Sequence, residues 1–276
     1  MSLPAISVSR RDDPRIADYQ AVREADLLAQ RGLFVAESRL VVERLLGSRR
    51  FRVRSLLVND TALAALEPAL AATDGDPEVF IAPRELISEL AGYRVHQGCL
   101  ALAERGAEIG PEALALGARG GLLVALEQLA DPDNVGCVFR NARAFGADGV
   151  LLAPGGADPL YRKAVRVSTG ATLQLPFARC ASWPRELEKL RAAGWTVLAA
   201  VVGEDAIDVN DYGALRPIPD RVCLVFGSEG YGLSAAARAA ADARITVRMR
   251  AGFDSLNVAS ASGILLHHFS RAAHAR

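Results

Sequence analysis

Three short stretches of this chain carry side chains in patterns that could do chemistry. Asp131-Pro132-Asp133-Asn134-Val135-Gly136 runs into a helical pattern bearing Arg140. Gly227-Ser228-Glu229-Gly230-Tyr231-Gly232 follows an apolar run, and Ser255-Leu256-Asn257-Val258 precedes an apolar segment rich in small residues. Amides, a hydroxyl, a carboxylate and a guanidinium orient a ligand by hydrogen bonds and stabilise developing charge. The three glycines permit close backbone approach. Their order, G-x-x-G-x-G, is not the dinucleotide fingerprint G-x-G-x-x-G. Glu229 stands where a pyrophosphate would need donors, so a nucleoside without phosphates suits the loop better. Each stretch also has a plainer reading: Asp133 or Asn134 caps a helix, the glycines make a turn, and Ser255 or Asn257 caps the last helix. Asn134 and Arg140 are separated by about 600° of helix, so their side chains stand about 120° apart unless Asn134 is a cap.

A frame must hold such groups. Up to about residue 103 the periodicity predicts helices over 16–30, 39–46, 61–72 and 84–90, with strands over 33–36, 53–58, 79–81 and 99–103. Residues 106–120 mix Gly, Ala, Pro and Glu without a strong period and read as a linker. Strands are then expected over 122–126, 149–152, 196–202, 222–226 and 245–249, and helices over 134–145, 161–168, 187–193 and 258–268. This gives a domain over 4–105, a linker over 106–120 and a second domain over 121–276. Strands separated by helices imply an α/β architecture with a mainly parallel sheet covered on both faces. Such sheets place ligands at the carboxyl ends of their strands, where the three stretches lie.

Composition narrows the class. The 276 residues are 51% hydrophobic and 23% charged, enough for a buried core and too apolar for a disordered chain. Basic and acidic residues number 32 each, so any polyanionic partner must be met by a local patch. Cys99, Cys137, Cys180 and Cys223 form no C-x-x-C pair and read as free thiols of a reducing compartment. With no secretory or membrane-spanning segment, a soluble cytoplasmic protein is expected. His267 and His268 have no acidic partner at ligand spacing, and no metal is expected.

Asn134 with Arg140, the glycine loop with Glu229, and Ser255 to Val258 resemble, in order and spacing, the three motifs of the SpoU/TrmH-type RNA methyltransferases of the SPOUT superfamily. Residues 126–146 and 224–266 carry the match. Phe34-Val35-Ala36-Glu37-Ser38-Arg39-Leu40-Val41 and His96-Gln97-Gly98-Cys99-Leu100-Ala101 are similar to recurrent stretches of that family's L30e-like substrate-binding module. The resemblance implies methyl transfer from S-adenosyl-L-methionine to a ribose 2′-hydroxyl of structured RNA, rRNA ahead of tRNA. It also implies a homodimer through a C-terminal domain with a deep trefoil knot. Under it, Asn134, Arg140, Glu229, Ser255 and Asn257 are the catalytic set. Arg140 would orient the nucleotide and Glu229 would hold Arg140 or a neighbouring amide. Cofactor contacts would fall on Ala199, Ala200, Gly203, Gly227, Gly230, Gly232, Val247, Met249 and Leu256.

Clusters of basic residues then become candidate phosphate contacts: Arg49, Arg50 and Arg52, and Arg162, Lys163 and Arg166. Two positions depart from the family pattern: Arg248 and Arg250 bring charge to the third motif's strand, and Ser38 stands where glycine is frequent. The competing readings are a non-catalytic RNA-binding member of the same fold and a nicotinamide-dependent Rossmann enzyme. The latter lacks its glycine fingerprint after the first strand.

Overall fold

A computed structural model describes residues 4–20, 24–92, 97–119, 121–203, 205–250 and 255–274. The sequence readings at 1–3, His96, Gly120 and 251–254 lie outside the described residues. The chain divides into two compact units: Met1–Ala107 with Pro159–Gln174, and Glu108–Asp158 with Leu175–Arg276.

The first unit holds a five-stranded mixed sheet. Its strands are β1 (Ala5–Ser7), β2 (Leu33–Glu37), β3 (Val53–Val58), β4 (Glu78–Ile81) and β5 (Cys99–Glu104), in the order β1-β4-β3-β5-β2. β1, β4 and β3 run parallel, while β5 is antiparallel to β3 and β2. Leu57, Phe80 and Leu100 pack against Ile16, Leu27, Ile87 and Leu90. The single helix expected over 16–30 is instead a 3-10 helix, Pro14–Tyr19, and an α-helix, Glu24–Arg31. Asp13 and Pro14 start the first early, and Gln20 is extended after it. Ser38 has φ +78°, in the region glycine adopts without strain.

Residues 159–174 correct the sequence reading, because they pack with this unit rather than with the second. Helix Arg162–Val167 brings Arg162 Nε to Glu37 Oε2 at 2.9 Å, with Arg166 at 3.7 Å from the same buried carboxylate. Arg44 donates to the Thr169 carbonyl.

The second unit holds a seven-stranded, wholly parallel sheet. Its strands are β6 (Leu122–Leu126), β7 (Gly149–Leu152), β8 (Phe177–Arg179), β9 (Thr196–Ala200), β10 (Ile207–Asp208), β11 (Val222–Phe226) and β12 (Ala243–Thr246). The order is β10-β12-β9-β11-β6-β7-β8, so β11 enters between β6 and β9, and β12 between β9 and β10. Alternate residues of the central strands face opposite layers. Leu123, Ala125, Val197 and Val225 meet helices Arg185–Ala192 and Ala235–Ala240, and helices Pro132–Ala144 and Val258–His274 pack together. Asn141 fastens that pair, donating to the Ala259 carbonyl at 2.7 Å and Ser262 Oγ at 3.0 Å.

The expected linker, 106–120, contains helix Pro111–Gly117, whose Leu114 and Ala115 are buried in this unit's core. β12 also ends earlier than its apolar run. After Thr246 the backbone N–H of Arg248 bonds to the Asp208 carboxylate rather than to a strand carbonyl, which takes Val247 and Met249 out of the sheet. β8 and β10, at three and two residues, were too short to carry a readable period.

Candidate functional site

The loops after β6, β9, β11 and β12 leave the same end of the parallel sheet. Helix Pro132–Ala144 follows the first. Asp131 is its cap, accepting from the Asp133 N–H at 3.0 Å, so Asn134 sits inside the first turn. This corrects the expectation that Asp133 or Asn134 is the cap, and it fixes the angle to Arg140 at about 120° around the helix.

Asn134 joins the three stretches. Its Nδ2 donates to Glu229 Oε1 at 2.5 Å, and its Oδ1 accepts from Asn257 Nδ2 at 3.0 Å. Asn257 Oδ1 in turn accepts from the Ala259 N–H at 2.8 Å, so Asn257 both caps the last helix and belongs to this chain of bonds. Of its two expected partners, Arg140 or a neighbouring amide, Glu229 therefore holds the amide, that of Asn134. Arg140 is exposed and makes no side-chain hydrogen bond or ion pair among the described residues. Burial first, and Asp133 second, raise the thiol pKa of Cys137 on the same helix, which keeps it protonated and weakly nucleophilic.

Beside this relay opens a cavity of about 720 Å³, within the range of small-molecule sites. Of the expected cofactor residues, Ala200, Gly227, Gly230, Gly232, Val247, Met249 and Leu256 line it, as do Glu229, Ser255 and Asn257. Ala199 is a correction: it points into the core under the sheet. Gly203, Asn134 and Arg140 are not among the lining residues. A Cβ on Gly227 would lie 2.3 Å from the Gly232 carbonyl carbon, so the loop folds back on itself only with glycine there. A Cβ on Gly230 or Gly232 would meet nothing within 4 Å. The cations on the wall are engaged: Arg244 pairs with Asp205, and Arg238 donates to the Leu233 carbonyl at 2.5 Å. Arg248, the departure in the third motif, turns to Asp208 and Asp211 and leaves the cavity to Val247 and Met249.

Sequence reasoning missed Asp205, Asp208 and Glu127. Glu127 is a charged residue directly after an unbroken apolar strand, and that position was the available signal. Among the described residues no cluster of His, Cys, Asp or Glu could hold a metal ion, and no helix is long and apolar enough to cross a membrane.

The model of the SpoU rRNA methylase family matches residues 121–267, the stretch that contains the whole relay. The chain belongs to this family. An uncharacterized tRNA/rRNA methyltransferase of Mycobacterium bovis is 38% identical to this SpoU family member over 95% of this chain and 91% of the relative. An uncharacterized tRNA/rRNA methyltransferase of Mycobacterium tuberculosis has the same identity and coverage. In structure, the family member is similar to an AdoMet-bound rRNA methyltransferase from Sinorhizobium meliloti. That match has a TM-score of 0.81 and 25% identity, and it covers 97% of this chain and 98% of that one. It is also similar to the SpoU methyltransferase AviRb of Streptomyces viridochromogenes in complex with AdoMet, at TM-score 0.78 and 25% identity, over 94% and 98% of the two chains.

Proposed function

We propose that the protein transfers a methyl group from S-adenosyl-L-methionine to a ribose 2′-hydroxyl of structured RNA, rRNA ahead of tRNA. The observation that carries this reading is the Glu229–Asn134–Asn257 relay beside the cavity, because it joins all three motif loops at one sheet end. The cavity fits the cofactor by chemistry. It offers open backbone at Gly230 and Gly232, apolar Val247 and Leu256, and carboxylates for a ligand that carries a positive sulfonium and no phosphate. When bound, that cofactor supplies a methyl group already activated by the sulfonium charge.

The chain's own residues orient the acceptor. A guanidinium holds its proton too tightly to serve as a base. Arg140 therefore acts as a cation that orients the nucleotide and stabilises developing alkoxide charge. The proton on the ribose oxygen passes to a phosphate oxygen or to water. Asn134 and Asn257 position the loops by hydrogen bonds, and Ser255 lines the cavity beside them. The family resemblance supports a knotted chain path in the second unit and a homodimer through it, and an L30e-like module in the first that binds RNA. A nicotinamide enzyme is disfavoured because the turn after β6, 127–131, holds no glycine.

Methyl-labelled donor and bulk rRNA or tRNA test the proposal. Ribose methylation blocks alkaline cleavage at the modified nucleotide, so label recovered in an alkali-resistant dinucleotide is expected. Label recovered only in mononucleotides would assign the reaction to a base, and no label would favour a binding protein.

A further inference from the structure

Glu127 follows directly on β6 and is 5% exposed. A carboxylate so buried is costly unless its oxygens accept hydrogen bonds. Here both do. Oε1 accepts from Trp183 Nε1 at 2.8 Å, and Oε2 accepts from the Ser234 backbone N–H at 2.9 Å. The Glu127 backbone N–H donates to the Phe226 carbonyl at 2.8 Å. Phe226 and Ser234 are the two feet of the glycine-rich loop, and one residue thus holds both. Between them, residues 227–233 all line the cavity. Within the loop Gly232 N–H donates to the Ser228 carbonyl at 2.9 Å, so the loop is closed on itself as well as at its base.

We propose that Glu127 is a positioning residue that clasps the glycine-rich loop and fixes the cavity wall against which the methyl donor binds. The inference rests on the reading of that cavity as the donor site. Two N–H donors demand two acceptors. A carboxylate supplies them, whereas an amide supplies one acceptor and turns an NH2 toward the other donor. The clasp also acts on the relay. Glu127 begins the segment that leads to Asn134, and the loop it clasps carries Glu229, so it is a second tie between the two loops that Asn134 and Glu229 join directly. Trp183 holds the carboxylate in the orientation that reaches Ser234.

Glu127→Gln in the full-length protein is the test, with two readouts. The first is amide hydrogen exchange over 227–234 in the absence of ligand. Leaving one buried N–H unpaired should speed exchange there by roughly tenfold while the strands keep their protection. The second is steady-state methyl transfer, where the KM for S-adenosylmethionine should rise by about tenfold and kcat should move much less. Unchanged exchange in the loop overturns the clasp, and so does a fall in kcat with KM unchanged. If the wild-type protein fails to bind S-adenosylmethionine, the reading of the cavity falls, and exchange still decides the clasp. Should Glu127→Gln not fold, Trp183→Phe carries the test, because it removes one donor and keeps an aromatic ring. Faster loop exchange in that variant supports the clasp, and unaltered exchange rejects it.

Discussion

The polarity of the Glu229–Asn134–Asn257 chain follows from the one group in it that can only accept. An ionised Glu229 requires the NH2 of Asn134, which leaves the Asn134 oxygen for the NH2 of Asn257 and the Asn257 oxygen for the Ala259 N–H. Every donor points toward the carboxylate, starting from the N-terminus of the last helix. Replacing Asn134 by Asp sets two carboxylates 2.5 Å apart where a donor was. Asn134→Asp should therefore cost more activity than Asn134→Ala at neutral pH. The gap should narrow as the pH falls, because a like-charge pair has a raised pKa and one shared proton restores the bond. A pH–rate profile of the two variants checks this. Arg140→Ala should lower kcat by about 100-fold or more while calorimetry shows unchanged affinity for S-adenosylmethionine. Asn134, Glu229 and Asn257 were legible in the sequence as candidates, but their bonding was not, since it spans up to 123 residues of chain. The pairing of Glu229 with Asn134 instead of Arg140 depends on where the helix starts, one of the least readable features of a sequence.

At the scale of elements, the buried central strands were the readable part. β6 and β11 begin and end where their apolar runs do, because a strand covered on both faces reads as a continuous run. β12 was misread because Val247 and Met249 continue the apolar pattern to serve the cavity wall, not the core. Apolar side chains that face a ligand are indistinguishable from core in a sequence. The glycine loop makes a sharper statement: with Gly232 and Leu233 backbone atoms within 2.4 Å of a Cβ at 227, Gly227→Ala should abolish cofactor binding in a titration and lower stability by about 1–3 kcal/mol. Ser38 provides the opposite case. It begins helix Arg39–Leu46 at φ +78° and its side chain makes no capping bond there, so Ser38→Gly loses no bond and relieves strain. Denaturant unfolding should show a gain of up to about 1 kcal/mol.

Over the whole molecule the formal charge is zero, so nucleic-acid affinity must come from where the cations are free to act. The structure sorts them. Arg162 is committed to Glu37, Arg44 to the Thr169 carbonyl and Arg54 to Glu104, while Arg50 lies over the Phe51 ring. Arg49 and Arg52 are exposed and make no side-chain ion pair among the described residues. Neutralising both should reduce the slope of log K against log salt for RNA binding by about 1.5 to 2. An unchanged slope would remove them from the phosphate track. The sequence displayed Arg49, Arg50 and Arg52 as one cluster and Arg162 in another; only the folded positions of Glu37, Glu104 and Thr169 tell which arginines are occupied. The placement of 159–174 reaches further. An N-terminal fragment ending near residue 107 would keep Glu37 and discard Arg162 and Arg166, its two counter-ions. Excision of that half by a single cut would leave a stranded anion in its interior, so exchanging front halves between relatives demands a two-piece graft. In this protein the first folding unit is a spliced object, written in two separate passages of the chain.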